Sequence, residues 1–129
     1  MTSPDDPERP PRGLRVFVVE DEPMIGMLLE DMLDELGCTV AASAARLDEA
    51  LTAARTGEFD VALLDVNLHG QNTGPVAEVL SARGVPFVFA TGYSEQGLPE
   101  AFRGRPNLKK PFQLDSLGQA LAAALKGKT

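Results

Sequence analysis

The stretch Asp60-Val61-Ala62-Leu63-Leu64-Asp65-Val66-Asn67 decides how the rest of the chain is read. Its apolar run is too short for a helix, it ends at a carboxylate, and apolar periodicity stops there. A strand buried on both faces that lifts an acid to the rim of a sheet has this pattern. Glu20-Asp21-Glu22, Thr91 and Lys110 each follow a short apolar run in the same way. That repetition makes Asp65 a candidate site residue.

Upstream, residues 14–19 are nearly all apolar, β-branched or aromatic, which predicts a first parallel strand. Pro23 suits the first turn of a helix, where its missing N–H leaves nothing unpaired. Ile25, Leu28, Leu29, Met32, Leu33 and Leu36 follow helical spacing, and Gly37 supplies the stop. Residues 39–44 predict a weaker second strand. Leu47, Ala50, Leu51 and Ala54 form a modest helical stripe that ends near Gly57.

The opening stretch supplies a third strand over residues 60–64. Downstream, Gly74-Pro75 opens a helix with Val76, Val79 and Leu80 inward and Gly84 as its stop. Residues 86–90 predict a fourth strand, with Pro86 tolerated at its first position. Residues 91–105 hold Gly92, Gly97, Pro99 and Gly104, leaving room only for a short helix around residues 100–103. Residues 107–109 make a short fifth strand, and Leu114, Leu117, Leu121 and Leu125 mark a last helix.

Five alternations of strand and helix predict an α/β domain with a parallel sheet. Right-handed crossovers on both faces give the doubly wound form, a five-stranded parallel sheet of order 2-1-3-4-5 with helices on both faces. In such sheets ligands bind beyond the carboxyl ends of the strands at the topological switch point, here between strands one and three. Glu20, Asp21 and Asp65 all fall there.

A length of 129 residues suits one domain. The net charge of -7 argues against nucleic acid or an anionic membrane as partner. Cys38 is the only cysteine, which excludes an internal disulfide framework and a thiolate metal cluster; it reads as an inert buried thiol. No apolar run approaches the ~18 residues of a membrane span. Residues 1–13 carry Pro4, Pro7, Pro10 and Pro11 among charges, with no apolar signal core. They read as a disordered tail before a domain over residues 14–127, and a cytoplasmic monomer is expected.

Carboxylates converging on one rim repel, by about 4 kcal/mol per pair at 4 Å and an effective dielectric near 20. Such a cluster holds a cation or protonates one member. A few hard oxygen ligands with room for water suit Mg²⁺. Taken alone, Glu20-Asp21-Glu22 reads equally well as an acidic cap on the first helix; Asp65 on the adjacent strand favours metal. Lys110 precedes Pro111, which restrains its backbone to extended conformations. Thr91 ends a strand beside Gly92, which leaves access to its hydroxyl. A carboxylate, a cation pair and a hydroxyl match phosphoryl transfer to an acid: Asp65 as nucleophile, Mg²⁺ and Lys110 neutralising charge, Thr91 sensing the phosphoryl group.

Glu20-Asp21, Asp65, Thr91 and Lys110-Pro111-Phe112, in this order and on these strands, closely resemble the receiver domain of two-component response regulators, from about Leu14 to Lys126. The resemblance implies the flavodoxin-like receiver fold and a phosphoprotein that is not an enzyme beyond catalysing its own phosphorylation and dephosphorylation, with a sensor histidine kinase as partner and Mg²⁺ as its cofactor. It implies Asp65 as phosphoacceptor, and Glu20, Asp21 and the Asn67 backbone carbonyl as further Mg²⁺ ligands. Thr91 becomes the switch hydroxyl and Lys110 the family's lysine. Phe89-Ala90-Thr91-Gly92-Tyr93 also resembles the signature of the FAT GUY subclass, which implies a kinase of the HWE or a related type.

Two departures stand out. Asn107 occupies the strand-five position where many receivers carry an aromatic switch residue, leaving Tyr93 as the substitute candidate. The loop after Asp65 lacks the usual turn and is about one residue longer, with His69, the only histidine, as a surface residue. The chain ends soon after the last helix, so the expectation is a stand-alone receiver that signals by protein contact or drains phosphate from a kinase. Its contact region would be the helix-four and strand-five surfaces, with residues 92–104 mobile until phosphorylation. Rival readings are a phosphorylation-independent receiver-like adapter and a haloacid-dehalogenase-type phosphohydrolase. The second wants an acid where Asn67 stands.

Overall fold

Short apolar runs alternating with helical stripes become, in the computed structural model, a parallel sheet with helices against it. The structure describes residues 10, 12–91, 107–109 and 113–126. In chain order the elements are β1 Arg15–Val19, α1 Pro23–Glu35, β2 Thr39–Ala44, α2 Leu47–Thr56, β3 Val61–Asp65, β4 Asn67–Leu68, β5 Gln71–Asn72, α3 Gly74–Ala82, β6 Phe87–Thr91, β7 Asn107–Lys109 and α4 Leu114–Lys126. The main sheet has five strands in the order β2-β1-β3-β6-β7, every pair parallel. With the small hairpin β4-β5 set aside, that is the expected 2-1-3-4-5.

Alternation along each strand divides the apolar residues between two cores. On one face Val16, Val18, Leu63 and Val88 meet Leu29 and Leu33 of α1 and Leu117 and Leu121 of α4. Cys38 is buried in this layer. On the other face Phe17, Val19, Leu64 and Phe89 meet Ala50 and Ala54 of α2 and Val76 and Leu80 of α3. Phe17 stacks on Phe59 with centroids 4.8 Å apart, and Phe87 meets Phe89 edge-on at 5.6 Å. The sheet is thus covered on both faces, as near-continuous apolar strands require.

Three details differ from the sequence expectation. The third strand lies one residue later than residues 60–64. Asp60 is engaged beside it, its N–H donating to the Arg15 carbonyl (2.8 Å) and its Oδ2 accepting from the Arg15 N–H (2.9 Å). Asp65 is therefore the last residue of β3, opposite Ala90 of β6. Leu28, counted in the inward stripe of α1, is 46% exposed; Leu29, Met32 and Leu33 make the buried strip, and Leu28 falls at its edge. The β1–β2 register slips between Val16 and Phe17, which pair with Val40 and Ala42, so Ala41 is an extra residue on β2.

Ahead of β1, Pro10 is buried, and the Gly13 N–H donates to the Gly37 carbonyl at 2.7 Å. A Cβ on Gly118 of α4 would sit 3.3 Å from Leu36 and 3.7 Å from Pro10, so a glycine there lets this segment and the end of α1 approach α4 closely. The short helix expected around residues 100–103, and the mobility expected of residues 92–104, lie outside the described residues. Among the described residues no helix is long and apolar enough to cross a membrane.

Candidate functional site

The carboxyl ends of β1 and β3 are neighbours at the switch point, and each delivers acid there. Glu20 follows β1 directly; its N–H donates to the Ala44 carbonyl of β2 at 3.0 Å, and the residue is 8% exposed. Its Oε2 accepts from the Glu22 N–H at 3.1 Å, which tightens the turn into α1. Glu22 is the N-cap of that helix but makes no side-chain cap bond, and the first turn carries no acid. No side chain of the triplet is therefore seen bonding to an N–H of the first turn of α1, and the Glu20 carboxylate is instead grouped with those of Asp21 and Asp65.

Asp21 reaches across to the segment after β3. Its Oδ2 accepts from the His69 N–H at 2.9 Å, with the His69 Nδ1 3.8 Å from the same oxygen. The Asp21 side chain is 18% exposed and that of His69 64%. Carboxylate oxygens of Glu20, Asp21 and half-buried Asp65 all lie within 4.8 Å of one another. At such separations their repulsion amounts to several kcal/mol when all are ionised. Three hard oxygen donors grouped at a partly open rim fit Mg²⁺, which keeps several waters and takes few protein ligands.

The connection from Asp65 to α3, expected to be an irregular loop, is a small structure of its own. β4 and β5 pair antiparallel, Asn67 with Asn72 and Leu68 with Gln71, around a two-residue turn. His69 (φ 48°) and Gly70 (φ 82°) both have positive φ, as a type I′ turn demands. Leu68 is fully buried in the core beneath α3. Thr73, also fully buried, donates its hydroxyl to the carbonyls of Asp65 (2.6 Å) and Val66 (3.1 Å). The Asn72 Oδ1 accepts from the Gly74 N–H at 2.8 Å.

His69 presents a surface side chain, as expected, yet its backbone holds Asp21. That role and the one played by Thr73 escaped the sequence reading. The available hint was Gly70 at the second turn position, weakened by a histidine at the first.

The remaining candidates divide. Asn67 opens β4, two residues past Asp65, and is exposed. The Thr91 backbone ends β6 one residue beyond Ala90, the partner of Asp65, and in register with Lys109 of β7. Its position on the chain thus ends at the same sheet edge as Asp65. Asn107 pairs with Phe89. Lys110 and Tyr93 lie outside the described residues.

Sequence comparison agrees with this layout. A family model of the response regulator receiver domain matches residues 16–122. The chain belongs to that family.

Among relatives of this receiver, the transcriptional regulatory protein PdtaR of Mycobacterium tuberculosis is 32% identical over 115 residues, covering 86% of this chain and 56% of PdtaR. The phyllosphere-induced regulator PhyR of Methylorubrum extorquens is 31% identical over 115 residues, covering 85% and 43% respectively. The chain spans about half the length of these two curated relatives. The solution structure of SdrG from Sphingomonas melonis Fr1 superposes with a TM-score of 0.79 at 46% identity, covering 88% of this chain and 97% of SdrG. Receiver domains are signalling modules of two-component systems, phosphorylated by histidine kinases, with Mg²⁺ bound at an acidic pocket. In this receiver the acidic cluster is Glu20, Asp21 and Asp65.

Proposed function

We propose that Asp65 is the phosphoacceptor of a two-component phosphorelay and that a sensor histidine kinase of the HWE or a related type is the donor. The observation that carries the proposal is the convergence of three carboxylates at the ends of β1 and β3, one of them on the last residue of the central strand. Glu20, Asp21, Asp65 and the Asn67 carbonyl hold Mg²⁺, which when bound supplies charge neutralisation for the transferring phosphoryl oxygens. An Asp65 carboxylate oxygen attacks phosphorus as the P–N bond to the donor histidine breaks. The electron pair of that bond stays on the imidazole nitrogen, which takes a proton from solvent. Lys110 neutralises charge on the phosphoryl oxygens, and the Thr91 hydroxyl donates a hydrogen bond to one of them, with Tyr93 standing in for the aromatic that Asn107 replaces. The backbone of Thr91 ending at the same edge as Asp65 supports its part.

The unit runs over residues 14–127, with Pro10 and Gly13 of the preceding tail packed against it. It sits in the cytoplasm as a monomer, belongs to the FAT GUY subclass, and passes its state on by protein contact or drains phosphate from its kinase. The 46% identity to SdrG over 97% of that chain supports the comparison with a small receiver. Beside the acids, α1 exposes Met24 (83%) and Met27 (65%), an apolar strip against which a phosphodonor protein can rest while its histidine faces Asp65.

Incubation with phosphoramidate and Mg²⁺, read by intact mass, tests the acceptor. The wild type gains one phosphoryl group and Asp65→Asn gains none. Equal labelling of both proteins moves the acceptor elsewhere. If neither phosphoramidate nor any kinase labels the wild type, the phosphorylation-independent adapter is the surviving reading.

A further inference from the structure

Among the described residues two polar or charged side chains are buried, Glu20 and Thr73. Glu20 belongs to the acid cluster, whereas Thr73 has no part in the chemistry above. Thr73 stands at the N-cap of α3, where a threonine hydroxyl ordinarily accepts from an N–H of the first helical turn. Here it makes no such bond. The hydroxyl turns the other way and donates to the carbonyls of Asp65 (2.6 Å) and Val66 (3.1 Å), the shorter contact being the principal one. The Thr73 N–H adds a bond to Val66 O at 2.9 Å. Helix capping falls instead to Asn72, which receives the Gly74 N–H, while the Thr73 carbonyl accepts from Val76 (3.0 Å) and Ala77 (3.2 Å).

One inaccessible residue thus ties the start of α3 to the two peptide units that leave Asp65. Those units fix how the Asp65 side chain departs from its strand end and where the next carbonyl, that of Asn67, is aimed. We propose that Thr73 is a positioning residue for the phosphoacceptor: its buried hydroxyl sets the exit of the chain from Asp65, and so the relative geometry of the Asp65 carboxylate and the Asn67 carbonyl. This rests on Asp65 as acceptor. Without the hydroxyl both carbonyls lose a buried donor and the peptide units can rotate. Small displacements of reacting groups are expensive in rate.

Thr73→Val keeps the shape and removes the hydroxyl; Thr73→Ser keeps the hydroxyl and removes the methyl. For both variants and the wild type, three quantities are measured: phosphoramidate labelling rate, Mg²⁺ affinity by calorimetric titration, and melting temperature. Thr73→Val should label about tenfold more slowly and bind Mg²⁺ more weakly, the scale of one lost buried hydrogen bond. Thr73→Ser should stay within about twofold of the wild type. A packing role alone gives the opposite order, because serine loses the methyl group that valine keeps.

Wild-type rate and Mg²⁺ affinity in Thr73→Val overturn the proposal. Should that variant fail to fold, Thr73→Ser decides: near-wild-type values support positioning by the hydroxyl, and a tenfold loss despite the retained hydroxyl overturns it. If the wild type is not labelled at all, the acceptor reading fails, while the Mg²⁺ affinities still decide the part played by Thr73.

Discussion

Two connections flank the acid site, and they are built on opposite plans. The turn from β1 into α1 is three residues of carboxylate followed by proline, and it leads into a helix whose first turns leave Met24 and Met27 exposed. The connection from β3 to α3 carries no acid of its own beyond Asp65. It is a hairpin pinned by buried Leu68 below, buried Thr73 behind and the His69 N–H on Asp21 in front. One side supplies charge with little packing; the other supplies packing that holds the charge in position. A site that concentrates like charges needs such a partner, because the acids themselves only push apart.

Replacing Leu68 by Ala is the largest way to break that division of labour. It empties a fully buried position under the hairpin and should reduce unfolding free energy by about 3 kcal/mol in urea titrations. Next, Asp21→Asn removes one of three mutually repelling charges and keeps an oxygen that can accept the His69 N–H. Without Mg²⁺ it should raise stability by about 1–2 kcal/mol. The wild type should instead gain stability from Mg²⁺, about 2.7 kcal/mol at a hundredfold excess over the dissociation constant, and lose that gain in EDTA. Melting curves of both proteins with and without Mg²⁺ check the pair of effects; an Asp21→Asn protein stabilised by Mg²⁺ as strongly as the wild type contradicts them.

Gly70→Ala tests the turn alone. Nothing lies within 4 Å of the added Cβ, so the loss of about 1 kcal/mol expected in denaturant comes from the positive φ of 82°. Smallest for stability is the double change Met24→Ala and Met27→Ala, within about 0.5 kcal/mol at these exposed positions. It should slow phosphotransfer from a kinase and leave phosphoramidate labelling unchanged, which assays with the two donors compare directly.

The same contrast explains what could be read in the sequence. The β1–α1 acids, the strand carrying Asp65 and the sheet order were legible because each depends on local signals: a run of apolar residues, a proline at a helix start, a glycine at a helix end. The strand boundary slipped by one because Asp60 bonds to Arg15, a contact between residues far apart in the chain. The hairpin was missed because two-residue strands leave no periodicity to detect and His69 is not a usual first residue of a type I′ turn. Thr73 before Gly74-Pro75 has the outward look of a helix cap; only the fold turns its hydroxyl inward.

The extra residue on β2 has a bearing on behaviour at high concentration. Among the described residues β2 is an outer strand of the sheet, bonded to β1 alone within it, and an outer strand presents a row of amides and carbonyls to a second molecule. Ala41 breaks the regular spacing of that row near its middle. A straight incoming strand can match one half of β2 or the other but not both, so the protein carries its own obstacle to sheet-extending aggregation.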